Sequence, residues 1–377
     1  MQPSYLRPTY IEVDQQAIYH NVHEEKKRLN PETALFAVVK ADAYGHGLVP
    51  VARVCQEAGA TGFCVATIDE ALALRAAQIA APILVLGITS PQAAPIAAAQ
   101  NIALTVGDQD WLTMATPLLK AVPDCPQLKL HFATDTGMGR IGFTDVDALK
   151  AAAAFVKASA YLTLEGIFTH FATADEKDTT YFEKQVAKFK VLLNALPERP
   201  KYVHVANSAT SLWHEACQCN MIRFGVAIYG LNPSGSMLAA PYELQPALSL
   251  YSELVFVKQI HAGDSVSYGA TYTAKNDEWI GTIPIGYADG WLRRMSGMSV
   301  LIKGKRCPIV GRVCMDQIMV RMPEEFAVGE KVTLIGRDED DEITLQEVAN
   351  YAQTIHYEIA CGLHDRIPRH YLPKRED

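Results

Sequence analysis

Six polar side chains in this chain stand where apolar, β-branched runs give out. Lys40 follows LFAVV, Arg140 lies beyond LKLHFAT, His170 follows LTLEGIF, Asn207 and Ser208 follow YVHVA, and Arg223 interrupts MIRF. An ammonium at the end of an apolar strand is desolvated, which lowers its pKa from about 10.4 and frees the amine as a nucleophile. Such a lysine condenses with a carbonyl to form a Schiff base, and pyridoxal phosphate is the common carbonyl cofactor of this kind in barrels. Each residue taken singly also reads as a polar stop to a strand. Gathered on one face of a fold, they read as a site.

The elements that must position them alternate regularly. Between about residues 30 and 230, short apolar runs (LFAVV, FCVAT, ILVLG, ALTV, LKLHFAT, LTLEGIF, YVHVA and MIRF) alternate with segments of helical period such as QQAIYHNVHEEKKRL, DEALALRAAQI and YFEKQVAKFKVLLNAL. About eight such units close a (β/α)8 TIM barrel, and an open doubly wound sheet is the alternative. In a barrel the loops after the strands share one end, which is where the polar residues fall. After about residue 240 the chain turns to alternating strands separated by Gly, Pro and Asp, and LNPSGSMLAAPYELQPA reads as the linker. The expected division is a barrel over residues 1–240 and a mostly β domain over 241–377. The strand near residues 10–14 is expected to pair with the second domain. Thr344 and Glu347 have capping-box spacing ahead of EVANYAQTI.

Composition narrows the partners. With 377 residues, 49% hydrophobic and 20% charged, the chain can build two ordinary cores. Its formal charge of −8 argues against a sequence-independent grip on nucleic acid or an anionic membrane. No apolar run approaches the ~20 residues of a membrane span. The N-terminus MQPSYLRPTYIEVDQQ lacks a basic stretch followed by an apolar one, so a cytoplasmic location is expected. The 8 Cys show no framework spacing and read as reduced thiols. His204, His214, Cys217 and Cys219 cluster without any standard zinc spacing, so no metal is expected.

AVVKADAYGHG, DTGMGRIG, HVANSA, IRFGVAIYG, SYGATYT, PIGYADGW, GRVCMDQIMV and HYEIACG together resemble the alanine racemase family, with motifs spread over nearly the whole chain. The resemblance implies a pyridoxal-phosphate enzyme that interconverts L- and D-alanine and works as a head-to-tail homodimer with shared sites. It implies that Lys40 holds the cofactor, that Tyr44, Ser208, Gly225, Val226 and Tyr357 surround its phosphate, and that Asn207 also binds the cofactor. Arg223 is placed against the pyridine nitrogen. Because a guanidinium only donates, that nitrogen stays unprotonated and the electron sink is weakened, which favours simple return of a proton. Racemisation needs acid/base groups on both faces of the substrate Cα. By the resemblance these are Lys40 and, from the partner chain, Tyr268, with His170 and Arg223 in support.

The same comparison assigns Arg140 and the Met315 backbone N–H to the substrate carboxylate. It lines the substrate's way in with Asp175, Arg293 and Arg312, to which Asp316 is added as a positioner of loops. One departure stands out: where many members carry a carbamylated lysine two residues before the Asp of DTGMGR, this chain has Ala133. A buried guanidinium needs compensation, so a chloride or a rerouted carboxylate is expected beside Arg140. The alternatives are a serine or broad-specificity amino-acid racemase, and a noncatalytic pyridoxal-phosphate carrier.

Overall fold

The computed structural model describes residues 2–214 and 219–374. They separate into two compact units, one of residues 17–43, 47–214 and 219–245 and the other of residues 2–16, 44–46 and 246–374.

The larger unit is built on eight strands that follow the short first strand β1 (Tyr10–Asp14). These are β2 (Ala34–Val38), β3 (Gly62–Val65), β4 (Ile83–Ile88), β5 (Ile102–Val106), β6 (Leu128–Ala133), β7 (Leu162–Phe168), β8 (Tyr202–His204) and β9 (Met221–Phe224). They form one parallel sheet in the order β8-β7-β6-β5-β4-β3-β2-β9. Parallel strands covered on both faces are largely apolar, and β3, β5 and β9 are buried at every position. The two ends of the sheet meet through a parallel bridge between Ala206 and Ile222, supported by the Arg223 N–H bonded to the Ala206 carbonyl at 2.9 Å. The sheet is therefore a nearly closed (β/α)8 barrel, not an open doubly wound sheet.

Helices alternate with the strands and bury one stripe each. Gln15–Arg28 turns Ala17, Ile18, Asn21, Val22 and Glu25 inward and ends in Lys26, Lys27 and Arg28, which suits the negative end of its dipole. Ile68–Ala76 starts with a capping box: the Thr67 hydroxyl accepts the Glu70 N–H, and the Glu70 carboxylate accepts the Thr67 N–H.

The second unit is mostly β. Its larger sheet joins β1 to Leu248–Glu253 in antiparallel register (Tyr10 opposite Tyr251) and to Arg369–Leu372 in parallel register (Ile11 opposite Arg369). A three-stranded sheet comprises Phe256–Ile260, Glu278–Ile283 and Ile318–Met322. The helix Leu345–Tyr351 is capped by the Thr344 hydroxyl, which accepts the Glu347 N–H. Among the described residues no helix is long and apolar enough to cross a membrane.

Candidate active site

Lys40 lies just beyond β2, after the buried Val39. The chain then winds the wrong way: Ala41, Asp42, Ala43 and Tyr44 have φ of 53°, 52°, 52° and 54°. Left-handed conformation costs an L-residue about 1–2 kcal/mol, so four in a row persist only if their surroundings impose them. The bonds that do so are local. The Ala43 N–H reaches the Val39 carbonyl at 2.9 Å, the Gly47 N–H reaches the Asp42 carbonyl at 2.9 Å, and the Asp42 carboxylate accepts the Leu48 N–H at 2.7 Å.

Arg223, on β9, is 3% exposed and its guanidinium is held from several sides. Nη1 donates to His204 Nδ1 at 2.8 Å and to the His204 carbonyl at 3.0 Å. Nη2 donates to the Thr169 carbonyl at 2.9 Å and to His170 Nδ1 at 3.3 Å. Among the described residues, Nε has no protein acceptor. Burial lowers the Arg223 pKa to about 10, leaving it a cation at neutral pH. His170 responds to this company: burial, followed by the charges of Arg223, Arg140 and Lys40, pushes it down to about 3. His170 is thus a neutral ring, and three cations lie within electrostatic reach of it.

A polar chain continues behind Arg223. His204 meets His131 at 2.8 Å, and His131 meets the Glu165 carboxylate at 3.4 Å. Lys129 and Lys201 lie 3.7 and 3.8 Å from the same carboxylate. Burial holds both histidines below their usual range. Burial alone would raise Glu165, but the His131 bond and the two lysines bring it below the usual carboxylate value.

The loops after β8 and β9 meet at Ser208. Its buried hydroxyl accepts the N–H groups of Gly225 at 2.8 Å and Ala227 at 3.4 Å, leaving the hydroxyl proton to donate elsewhere. Val226 opens a buried turn directly after Gly225. The Asn207 side-chain oxygen is taken up by the N–H and hydroxyl of Thr210.

In the second unit the Tyr44 and Tyr357 rings lie 6.0 Å apart, and the Gly45 carbonyl accepts Arg369 Nε at 3.1 Å. Tyr268 is 71% exposed and lines a cavity of about 590 Å³ with Ser267, Cys314, Met315, Asp316 and Gln317. The walls are tied together: the Ser267 hydroxyl donates to the Arg312 carbonyl at 2.7 Å, and the Ala288 N–H donates to the Met315 carbonyl at 3.0 Å. Asp316 accepts Arg366 Nη1 at 2.6 Å. Arg366 Nε stands 3.6 Å from Asp289, a fully buried carboxylate gripped at both oxygens by Arg7.

Other expected residues stand apart. Asp175 lies in the loop beyond β7 and Arg293 opens the short turn Arg293–Met295. Among the described residues neither side chain bonds to the groups above. Arg140 is exposed, so the premise of a buried guanidinium in need of an anion does not hold. Of the Cys/His cluster, Cys217 lies outside the described residues. His214 bonds the Ala174 carbonyl and stacks on Phe182, and His204 serves Arg223. Sequence reading missed His131 and Glu165. Their signal was present: β6, β7, β8 and β9 are apolar strands, each carrying a polar residue at an inward position.

Comparison with known proteins is decisive. The family description "Alanine racemase, N-terminal domain" matches residues 13–233, and "Alanine racemase, C-terminal domain" matches residues 247–371. The chain belongs to the alanine racemase family. It is 60% identical over 366 residues to an alanine racemase of Lacticaseibacillus casei, covering 97% of each chain. Its fold superposes on the crystal structure of alanine racemase from E. faecalis with a TM-score of 0.96 and 53% identity, over 99% of this chain and 100% of that one. A histidine racemase from Leuconostoc mesenteroides subsp. sake is also similar, with a TM-score of 0.93 and 37% identity over 99% and 100% of the two chains. Membership in the alanine racemase family makes this chain an isomerase and implies dependence on pyridoxal phosphate.

Proposed function

We propose that this chain interconverts L- and D-alanine by a two-base mechanism with pyridoxal phosphate, as a homodimer whose partners complete each other's sites. The donor set suits that cofactor. The Ser208 hydroxyl proton and the Val226 backbone N–H after Gly225 offer hydrogen bonds to a phosphate, joined by Tyr44, Tyr357 and Asn207. Lys40 provides the amine that would hold the carbonyl carbon. Arg223 carries the reading: with both Nη groups spent on His204, Thr169 and His170, Nε is the donor left for a ring nitrogen.

When bound, pyridoxal phosphate supplies the electron sink that acidifies the substrate Cα–H. The protein's residues do the rest. Arg223 can only donate, so a ring nitrogen facing it would have to accept, and the sink would stay too weak to favour side reactions. Lys40 Nζ exchanges a proton with Cα on one face, and Tyr268 Oη of the partner subunit does so on the other. His170 and Arg223 stand in support of that phenol, and Arg140 helps to orient it. Neutral His170 accepts from Arg223 and keeps that guanidinium oriented. Arg140 and the Met315 N–H receive the substrate carboxylate. Asp175, Arg293, Arg312 and Asp316 line its way in, where mixed charge suits a small zwitterion.

The exposure of Tyr268 beside an open cavity supports its use by a second copy of the chain. The inferred setting is the cytoplasm, supplying D-alanine for peptidoglycan. A broader amino-acid range is the second reading, favoured by likeness to a histidine racemase. Incubating one alanine enantiomer with the protein in heavy water should yield the mirror form labelled at Cα. An unlabelled product, or none, overturns the two-base mechanism, and a panel of amino acids scored by chiral chromatography decides the substrate range.

A further inference from the structure

The left-handed turn after Lys40 begins at an N–H that its own bonds do not serve. The Ala41 N–H has its acceptor in another loop: it donates to Glu70 Oε1 at 2.6 Å. The other oxygen, Oε2, accepts the N–H groups of Ala66 at 2.7 Å and Thr67 at 3.2 Å. One carboxylate therefore ties the loop after β2 to the loop after β3.

A capping box explains only part of this. The reciprocal bonds between Thr67 and Glu70 start the helix Ile68–Ala76, as many helices start. They do not require Oε1 to reach a residue 29 positions upstream. Two N–H groups on Oε2 stop the carboxylate from rotating, so Oε1 holds the Lys40–Ala41 peptide in one orientation. That peptide is the hinge between a right-twisted strand and a backbone that L-residues avoid. A bond from an ionised acceptor is about twice as strong as a neutral one, which suits the load.

We propose that Glu70 is a positioning residue for Lys40: through Ala41 it sets the direction in which the amine leaves the barrel strand. The bonds of the Glu70 carboxylate go to the backbone N–H groups of Ala41, Ala66 and Thr67. The inference rests on the reading of Lys40 as the cofactor-bearing base.

The test compares purified wild type with Glu70→Ala, Glu70→Gln and Thr67→Ala. The readouts are kcat and KM for alanine, hydrogen exchange of the segment spanning residues 41–48, thermal stability, and the lysine-dependent visible absorbance expected of a pyridoxal Schiff base. Glu70→Ala should lower kcat by about 10- to 100-fold with little change in KM, shift the pH titration of the absorbance, and speed exchange in that segment. Thr67→Ala removes the helix cap alone. It should lower thermal stability as Glu70→Ala does, yet keep kcat within about twofold of wild type. Glu70→Gln has one oxygen to offer and should fall between wild type and Glu70→Ala.

A Glu70→Gln protein equal to wild type in kcat and exchange overturns the proposal, as does a Thr67→Ala protein that loses as much kcat as Glu70→Ala. If Glu70→Ala does not fold, Glu70→Gln carries the same readouts. A wild type without a lysine-dependent band sinks the pyridoxal reading itself, whatever Glu70 does.

Discussion

Arg223 Nη1 and His204 Nδ1 are bonded at 2.8 Å inside the barrel, and the direction of that bond is dictated by chemistry. A guanidinium has no acceptor, so Nδ1 of His204 is bare and its proton sits on Nε2. The 2.8 Å contact to His131 is then a donation to Nδ1, which leaves the His131 proton on Nε2, facing Glu165. Two neutral rings are thereby set in fixed tautomers between a buried cation and a carboxylate. The arrangement anchors Arg223 and leaves Nε unspent among the described residues.

Replacing His204 by Leu removes the acceptor and leaves Nη1 with the backbone carbonyl alone. The loss of a partner to a buried charged donor should cost about 1–3 kcal/mol, read as a lower urea midpoint with unchanged slope. It should also lower kcat, because Arg223 is no longer held. A variant as stable and active as wild type would show that the tautomer chain has no role.

Acid should destabilise the protein early. The His170 pKa is about 3 in the folded chain and 6.5 as its ordinary value, so between those limits the unfolded chain binds more protons. Stability is fully present above pH 6.5 and falls as pH drops toward 3, by about 2 kcal/mol from His170 alone at pH 5. His131, His204 and His356 are shifted the same way. Urea unfolding at pH 7.5 and 5.0 measures the slope, and His170→Asn should flatten it. Equal stability at both pH values would contradict neutral buried rings.

Asp289 is fully buried between Arg7 and Arg366. Asp289→Asn removes the charge that both guanidinium groups address, and breaking a buried pair from one side costs about 3–5 kcal/mol. Arg366 also holds Asp316, on the cavity wall beside Met315. The variant should therefore show a raised KM along with a lower melting temperature. A melting temperature unchanged from wild type would rule out the network as an anchor.

Tyr268→Phe tests the second base. Removing one hydroxyl from an exposed side chain leaves the fold and cofactor binding intact, so the visible spectrum should stay while racemisation falls by about 100- to 10,000-fold, the usual worth of a general acid or base. The lysine-side exchange of the substrate α-proton with heavy water should persist for one enantiomer. Full racemisation by this variant would remove Tyr268 from the mechanism.

Much of this protein was readable from periodicity. The eight barrel strands and the helices Gln15–Arg28, Ile68–Ala76 and Thr180–Ala195 fall where the apolar runs and helical stripes place them, because burial on both faces of a strand and on one face of a helix writes itself into residue order. Lys40, His170 and Arg223 were legible for a related reason: a charged or polar residue closing or interrupting an apolar strand conflicts with its neighbours.

What residue order could not reveal is held by contacts between distant segments. Spacing along the chain says nothing of Glu70 meeting Ala41, of His131 meeting His204, or of Arg7 closing on Asp289. Nor did it disclose the left-handed turn at Ala41–Tyr44, which no glycine announces until Gly45. The sequence by itself determined the barrel, the β-rich second unit and the family. The tertiary structure alone decided which rings are neutral, which way each donor points and that Arg140 faces water, because protonation and hydrogen-bond direction depend on burial and on partners brought together only by folding.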